Sequence, residues 1–280
     1  MTPVATRLAA FVLVLAGTFG TAYAVGERLP GHSHTGSDGH THTHTPGLTV
    51  PVVPGATYAG YQLSTDAVQP PTDLLPGSAT FHLVAPDGST VGSYLPVHEA
   101  DLHVMLLRPD LSDFQHLHPA IGADGSWTVQ IPSPGRWHLV FESTPSGQVD
   151  PVVVSATVDD AVVVPATSLP TPSDTVAVPT AHGELTVTRD GLNFFVADAS
   201  GTTPDGLEPY LGAPAHMVAF RDTDLAYLHL HPMGDVPGTY MFQGTLEPGA
   251  TYRLFLQFGY HGQVLSVAFT VPVPAAEAGA

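Results

Sequence analysis

The chain contains no cysteine and no lysine. Without cysteine there can be no disulfide and no thiolate, so any metal site must use nitrogen, oxygen or thioether sulfur. Charge is scarce and one-sided: 11% of residues are charged, with seven arginines against 25 acidic residues and a formal net charge of −18. That balance argues against a nucleic-acid partner, because displacing phosphate counterions needs a cationic face. An acidic surface attracts cations but also serves solubility, so charge alone does not choose between those roles. The body shows no convincing helical period. A G-x-S-x-G elbow, an H-E-x-x-H pair and a phosphate loop are also missing.

What is present is a repeated histidine pattern. LHVMLLRPDLSDFQHLHP carries His103, His116 and His118, and AHMVAFRDTDLAYLHLHP carries His216, His229 and His231. Both read H-x12-H-x-H-P, 113 residues apart. The repeat extends outward from Phe81-His82-Leu83-Val84, matched by Phe194-Phe195-Val196-Ala197, to Gly147-Gln148-Val149, matched by Gly262-Gln263-Val264. Such a period exceeds the roughly 20–50 residues of a solenoid unit and suits one compact domain. Short Val/Leu/Phe/Thr-rich runs between turns rich in Gly and Pro, 28 of each, point to an all-β protein. About seven short strands per copy is the pattern of an immunoglobulin-like sandwich. The expected fold is therefore two tandem immunoglobulin-like β-sandwich domains, residues 47–162 and 176–275, joined by a Pro-rich linker, 163–175.

Two segments precede them. Residues 1–25 hold an uncharged run, Leu8 to Val25, after Arg7, with Ala22-Tyr23-Ala24 as a small-x-small cleavage site. The run has the length of a short membrane span, so a cleaved signal peptide and a retained anchor through residues 8–25 both fit. Either way the body is expected to be exported, secreted or tethered facing outward. Residues 26–46 carry His32, His34, His40, His42 and His44 among Gly, Ser and Thr. Such a tract cannot bury a core and is expected to be disordered, capturing metal loosely.

The repeated motif predicts a hairpin. Pro109-Asp110-Leu111-Ser112 makes a four-residue turn, with Arg108 facing Asp113. In that register His103 lies opposite His118 and Met105 opposite His116, all four on one face, because strand side chains alternate with period two. The second copy places His216 opposite His231 and Val218 opposite His229. A slip of one residue would scatter the rings onto both faces. His103, Met105, His116, His118, His216, His229 and His231 are thus the candidate metal ligands. Imidazole suits zinc and copper, and a thioether tilts the first set toward copper. Packed, carbonyl-bonded histidines are the competing reading of the same pattern. His98-Glu99 lies close enough along the chain to His103 to support that ring from outside.

These motifs resemble those of an uncharacterised family of exported actinobacterial proteins. The first module, His98 to His103, Arg108, Asp110-Leu111 and Phe114 to Pro119, is similar to H-E-x-x-L-H…R-x-D-L-x-x-F-Q-H-L-H-P. The second, Tyr210 to His216 and Asp224 to Pro232, resembles Y-L-G-A-x-x-H…D-L-A-Y-L-H-x-H-P. The resemblance covers most of 58–273; it departs at Ala100, where the family usually carries a basic residue. It implies a membrane-anchoring N-terminus, immunoglobulin-like β domains and a heavy-metal role, with copper as the metal suspected. Three functions compete: extracytoplasmic binding, buffering or delivery of copper or zinc; a metal-free cell-surface interaction or scaffold protein; and a metal hydrolase with a three-histidine site. No paired acid and base singles out the hydrolase, so a non-enzymatic role is expected.

Overall fold

A computed structural model describes residues 55–72, 75–160 and 162–276. The expected signal or anchor and the histidine-rich tract lie outside the described residues. Among the described residues every regular element is a strand, and no helix is long and apolar enough to cross a membrane.

The first half builds two sheets. One has the order β1 (Thr57–Tyr58), β2 (Tyr61–Gln69), β3 (Gly77–Val84), β7 (Ser126–Ile131). The other has the order β4 (Tyr94–Leu95), β8 (Trp137–Pro145), β5 (Leu102–Leu107), β6 (Gln115–Leu117), with β9 (Val152–Val158) also on β8. The second half repeats the plan. Its first sheet runs β10 (Thr175–Thr180), β11 (Gly183–Asp190), β12 (Asn193–Ala197), β16 (Thr239–Met241). Its second runs β13 (Leu207–Glu208), β17 (Thr251–Tyr260), β14 (His216–Arg221), β15 (Tyr227–Leu230), with β18 (Gln263–Pro272) on β17. Each half encloses its own apolar core, one around Phe81, Trp127 and Trp137, the other around Phe194, Tyr252 and Phe269. The tandem double sandwich expected from the repeat is what the chain forms.

Two strands depart from expectation for identifiable reasons. β10 begins on Thr175, the last residue of the expected linker, and carries Pro179; it is an edge strand, where a missing N–H is tolerated. β2 runs on to Gln69 through a bulge between Thr65 and Ala67, which carries it past the polar Ser64-Thr65-Asp66.

A third apolar cluster joins the halves. Alternation sends Leu102, Val104 and Leu106 of β5 into the first core, and Met105 and Leu107 out the other side. In β14, Met217 and Ala219 face the second core while Val218 and Phe220 face outward. These outward residues meet, with Val140, Tyr227 and Phe255, in one buried layer. Phe114 stacks on Phe255 across it, ring centroids 4.0 Å apart. β5 and β14 are thus buried on both faces, which is why they read as nearly continuous apolar runs. The linker is fastened to the first hairpin by the Thr167 amide and hydroxyl, which donate to the Asp110 carboxylate, and Leu169 packs against the shared layer.

Candidate metal centre

The histidines lie at one end of this layer. β5 and β6 pair with Met105 opposite His116 and Val104 opposite Leu117, the expected register, but they reach it by another route: the Arg108 amide donates to the Ser112 carbonyl, closing a three-residue loop, and the left-handed Asp113 is an extra residue that restores the alignment. The turn closes as its chemistry requires: the Asp110 carboxylate accepts from the Ser112 amide and hydroxyl, and Arg108 reaches Asp113 at 3.4 Å. In the second copy Met217 pairs with Leu230 and Val218 with His229. Arg221 there binds Asp224 at 2.7 Å instead.

This register brings the first trio together. His103 Nδ1 lies 3.1 Å from His116 Nε2, and His118 Nε2 lies 3.2 Å from each of them. An ion bonded to three imidazoles at about 2.0–2.1 Å in tetrahedral geometry separates its ligand nitrogens by roughly 3.3 Å, so the observed triangle has the size a zinc- or copper-sized ion needs.

The outward nitrogens decide where the protons are. His103 Nε2 lies 2.9 Å from the Val97 carbonyl, which can only accept, so the proton is on Nε2 and Nδ1 keeps its lone pair. His116 Nδ1 donates to Gln257 Oε1 at 2.8 Å, leaving Nε2 bare. With neutral rings, at most one proton, on His118, is then available to three nitrogens in mutual contact. Adding protons to His116 or His118 is disfavoured: burial holds His116 well below the ordinary imidazole range, and burial, helped by the crowding of neighbouring imidazoles, brings His118 down to about 4. Converging lone pairs that resist protonation are what a cation would relieve.

The second copy is assembled less symmetrically. His216 Nε2 donates to the Tyr210 carbonyl at 2.9 Å, the counterpart of the His103–Val97 bond, and its bare Nδ1 lies 3.3 Å from His229 Nε2. His231 Nε2 is buried with no hydrogen-bond partner. Desolvation pulls His216 down to about 3, and moves His229 and His231 far below their usual value. One nitrogen each of His98, His216 and His231 falls within 4.8 Å of the others. His98 thus belongs to the opposite half's histidines, and not behind His103 as the sequence suggested. The ring stacks on His231 with centroids 3.5 Å apart.

The halves also reach across to each other's rings, but only one of the two approaches is a hydrogen bond: His229 Nδ1 is buried without one. Glu142 pairs with His103 in its own sheet, and Gln257 occupies the matching place beside His216. Gln257 crosses to His116, whereas Glu142 crosses to His229 Nδ1 at 3.5 Å and accepts from the Tyr227 hydroxyl at 2.7 Å. Burial raises the Glu142 carboxyl above the ordinary carboxylate range. His103 and His116 each lie within 5.4 Å, ring to ring, of His229, so the two groups form one continuous histidine cluster. Met105, proposed as a thioether ligand, is fully buried in the shared apolar layer with its sulfur 3.6 Å from the Tyr227 hydroxyl. It faces His116 in register, but the nitrogen triangle is formed without it. Glu142 and Gln257 were missed. Their signal was a polar residue at the same place in each repeat, Glu142 in LVFES and Gln257 in LFLQF.

Residues 172–275 match a family model described as a domain of unknown function, DUF8832, which covers the second half only. No curated protein matches the chain. A two-fibronectin-type-III segment of chicken tenascin is 9% identical, with 76% of this chain and 98% of that one covered and a TM-score of 0.22. The FN1–FN3 domains of chicken CNTN1 are 8% identical, with 81% and 69% covered and a TM-score of 0.20. The BSP domain of a biofilm associated protein is 13% identical, with 79% and 30% covered and a TM-score of 0.20. Likenesses this distant carry no argument, and the sandwich architecture rests on strand order and register.

Proposed function

We propose that this chain is an extracytoplasmic transition-metal-binding protein that holds copper or zinc ions on the histidine cluster between its two sandwiches. One observation carries the reading: in the first trio, two ring nitrogens whose protons are committed elsewhere face each other and a third at 3.1–3.2 Å. Imidazole nitrogens suit zinc and copper, and the outward bonds to Val97 and Gln257 orient the rings as metal-bound histidines are usually oriented. His103, His116 and His118 would hold one ion. His216 and His231, with neighbouring histidines, would hold another. The N-terminal histidines would gather ions loosely, and a buffering or delivery role follows from the pairing of a loose and an ordered site.

The competing reading is a metal-free scaffold whose histidines merely pack. Elemental analysis of untagged protein and calorimetry with Zn2+ separate the two. H103A/H116A/H118A should lose one bound ion per chain while the remainder still bind. Unchanged stoichiometry in that variant would remove the first trio as a site.

A further inference from the structure

We infer that the second ion is held by both sandwiches at once, with His98 of the first half joining His216 and His231 of the second, so that this ion fastens the halves together. The inference rests on the metal-binding reading and adds a division of labour to it. The first trio comes wholly from one half, whereas the second group takes its ligands from both.

Several independent features place His98 there. The ring stacks on His231 and stands edge-on to His216 at 5.4 Å between centroids. Its nitrogen comes within 4.8 Å of ligand atoms of both. His231 Nε2 is buried and makes no hydrogen bond, and His216 Nδ1 is bare for the reason given above. His229 lies alongside, its Nε2 3.3 Å from His216 Nδ1, but outside the group whose ligand atoms are all within 4.8 Å of one another.

The backbone that delivers His98 is strained. His98 and Glu99 both adopt left-handed conformations, φ 48° and 63°, a costly arrangement for consecutive non-glycine residues that persists only where the surroundings impose it. The matching turn in the second half has Leu211 and Gly212 at φ 51° and 67°. The Glu99 side chain presses on that turn so closely that a Cβ at Gly212 would sit 3.2 Å from Glu99 Oε1. The two turns therefore pack against each other, yet only the first projects an imidazole. In the second, Leu211 has no ligand to give, and the ring near His116 and His118 is Tyr210, at 6.4 Å from each. The exchange of His98 for Leu211 between the repeats thus makes one position a bridge and leaves the other within a single half.

The test uses the full chain with His32, His34, His40, His42 and His44 changed to serine, titrated with Zn2+ against a chromogenic chelator. H98L installs the residue of the matching position. It should weaken one of two Zn2+ ions by more than about tenfold, since even losing an outer partner of a ligand costs roughly 10–100-fold, and should leave the other unchanged. Conversely, L211H should tighten the first position. Hydrogen exchange on the chain with intact body histidines provides a readout that needs no further substitution: filling the second position should slow exchange in the turn at 97–100. Two unaltered affinities in a folded H98L, or an unprotected turn when both ions are bound, would overturn the bridge and leave the proposed function standing. No Zn2+ uptake by the chain with intact body histidines would overturn both.

Discussion

Lowering the pH from about 7.5 to about 5 should destabilise the chelator-treated protein by about 4 kcal/mol from two histidines alone. His216 is fully buried and His138 is 8% exposed, and burial lowers them to about 3 and about 4 from an ordinary 6.5. Between these values and 6.5 the unfolded chain binds protons that the folded chain does not, so stability falls as pH drops through that window and is constant above it. Each contributes about 2 kcal/mol at pH 5. His118, lowered to about 4 and partly exposed, acts in the same direction, as do the more deeply perturbed His116, His229 and His231. Thermal melts followed by circular dichroism should show the midpoint falling by at least about 8 °C, at about 2–4 °C per kcal/mol for a body of this size. A midpoint flat from pH 7.5 to 5 would mean that these rings are solvated, and the interdomain packing would be wrong.

Metal should act with the opposite sign and comparable size. An ion binding only the folded state at 1,000 times its dissociation constant adds about 4 kcal/mol, or about 8–16 °C for one site. The N-terminal histidines cannot produce this shift. If they form a loose tract, as composition suggests, they are equally available to metal in the folded and unfolded chain, and binding to both states cancels. Zn2+ should therefore raise the midpoint, chelation should reverse it, and H103A/H116A/H118A should reduce it. A midpoint indifferent to Zn2+ in the presence of measured binding would place the metal on the tail alone, and the histidine cluster would revert to packing.

Much of this site could be read from the chain because its geometry is local. The turns at 109–112 and 222–225 were enough to place Met105 opposite His116 and Val218 opposite His229, although the first copy reaches that register only through the extra residue Asp113. The repeat likewise announced two sandwiches. Strand limits were less legible where exposed polar residues continued a strand, as in β2, or where proline sat on an edge, as in β10.

Met105 and His98 mark where that reading stops. Met105 has the correct face and register, but that face is covered by the other half, and its sulfur rests by the Tyr227 hydroxyl. His98 is five residues from His103 and yet stacks on His231. The amino-acid sequence alone determined which imidazoles share a strand face, because backbone geometry fixes spacing along and across a hairpin. Only the tertiary structure decided which imidazoles meet between hairpins. That depends on how two doubly buried sheets seat their outward side chains against one another, and no spacing along the chain measures that contact.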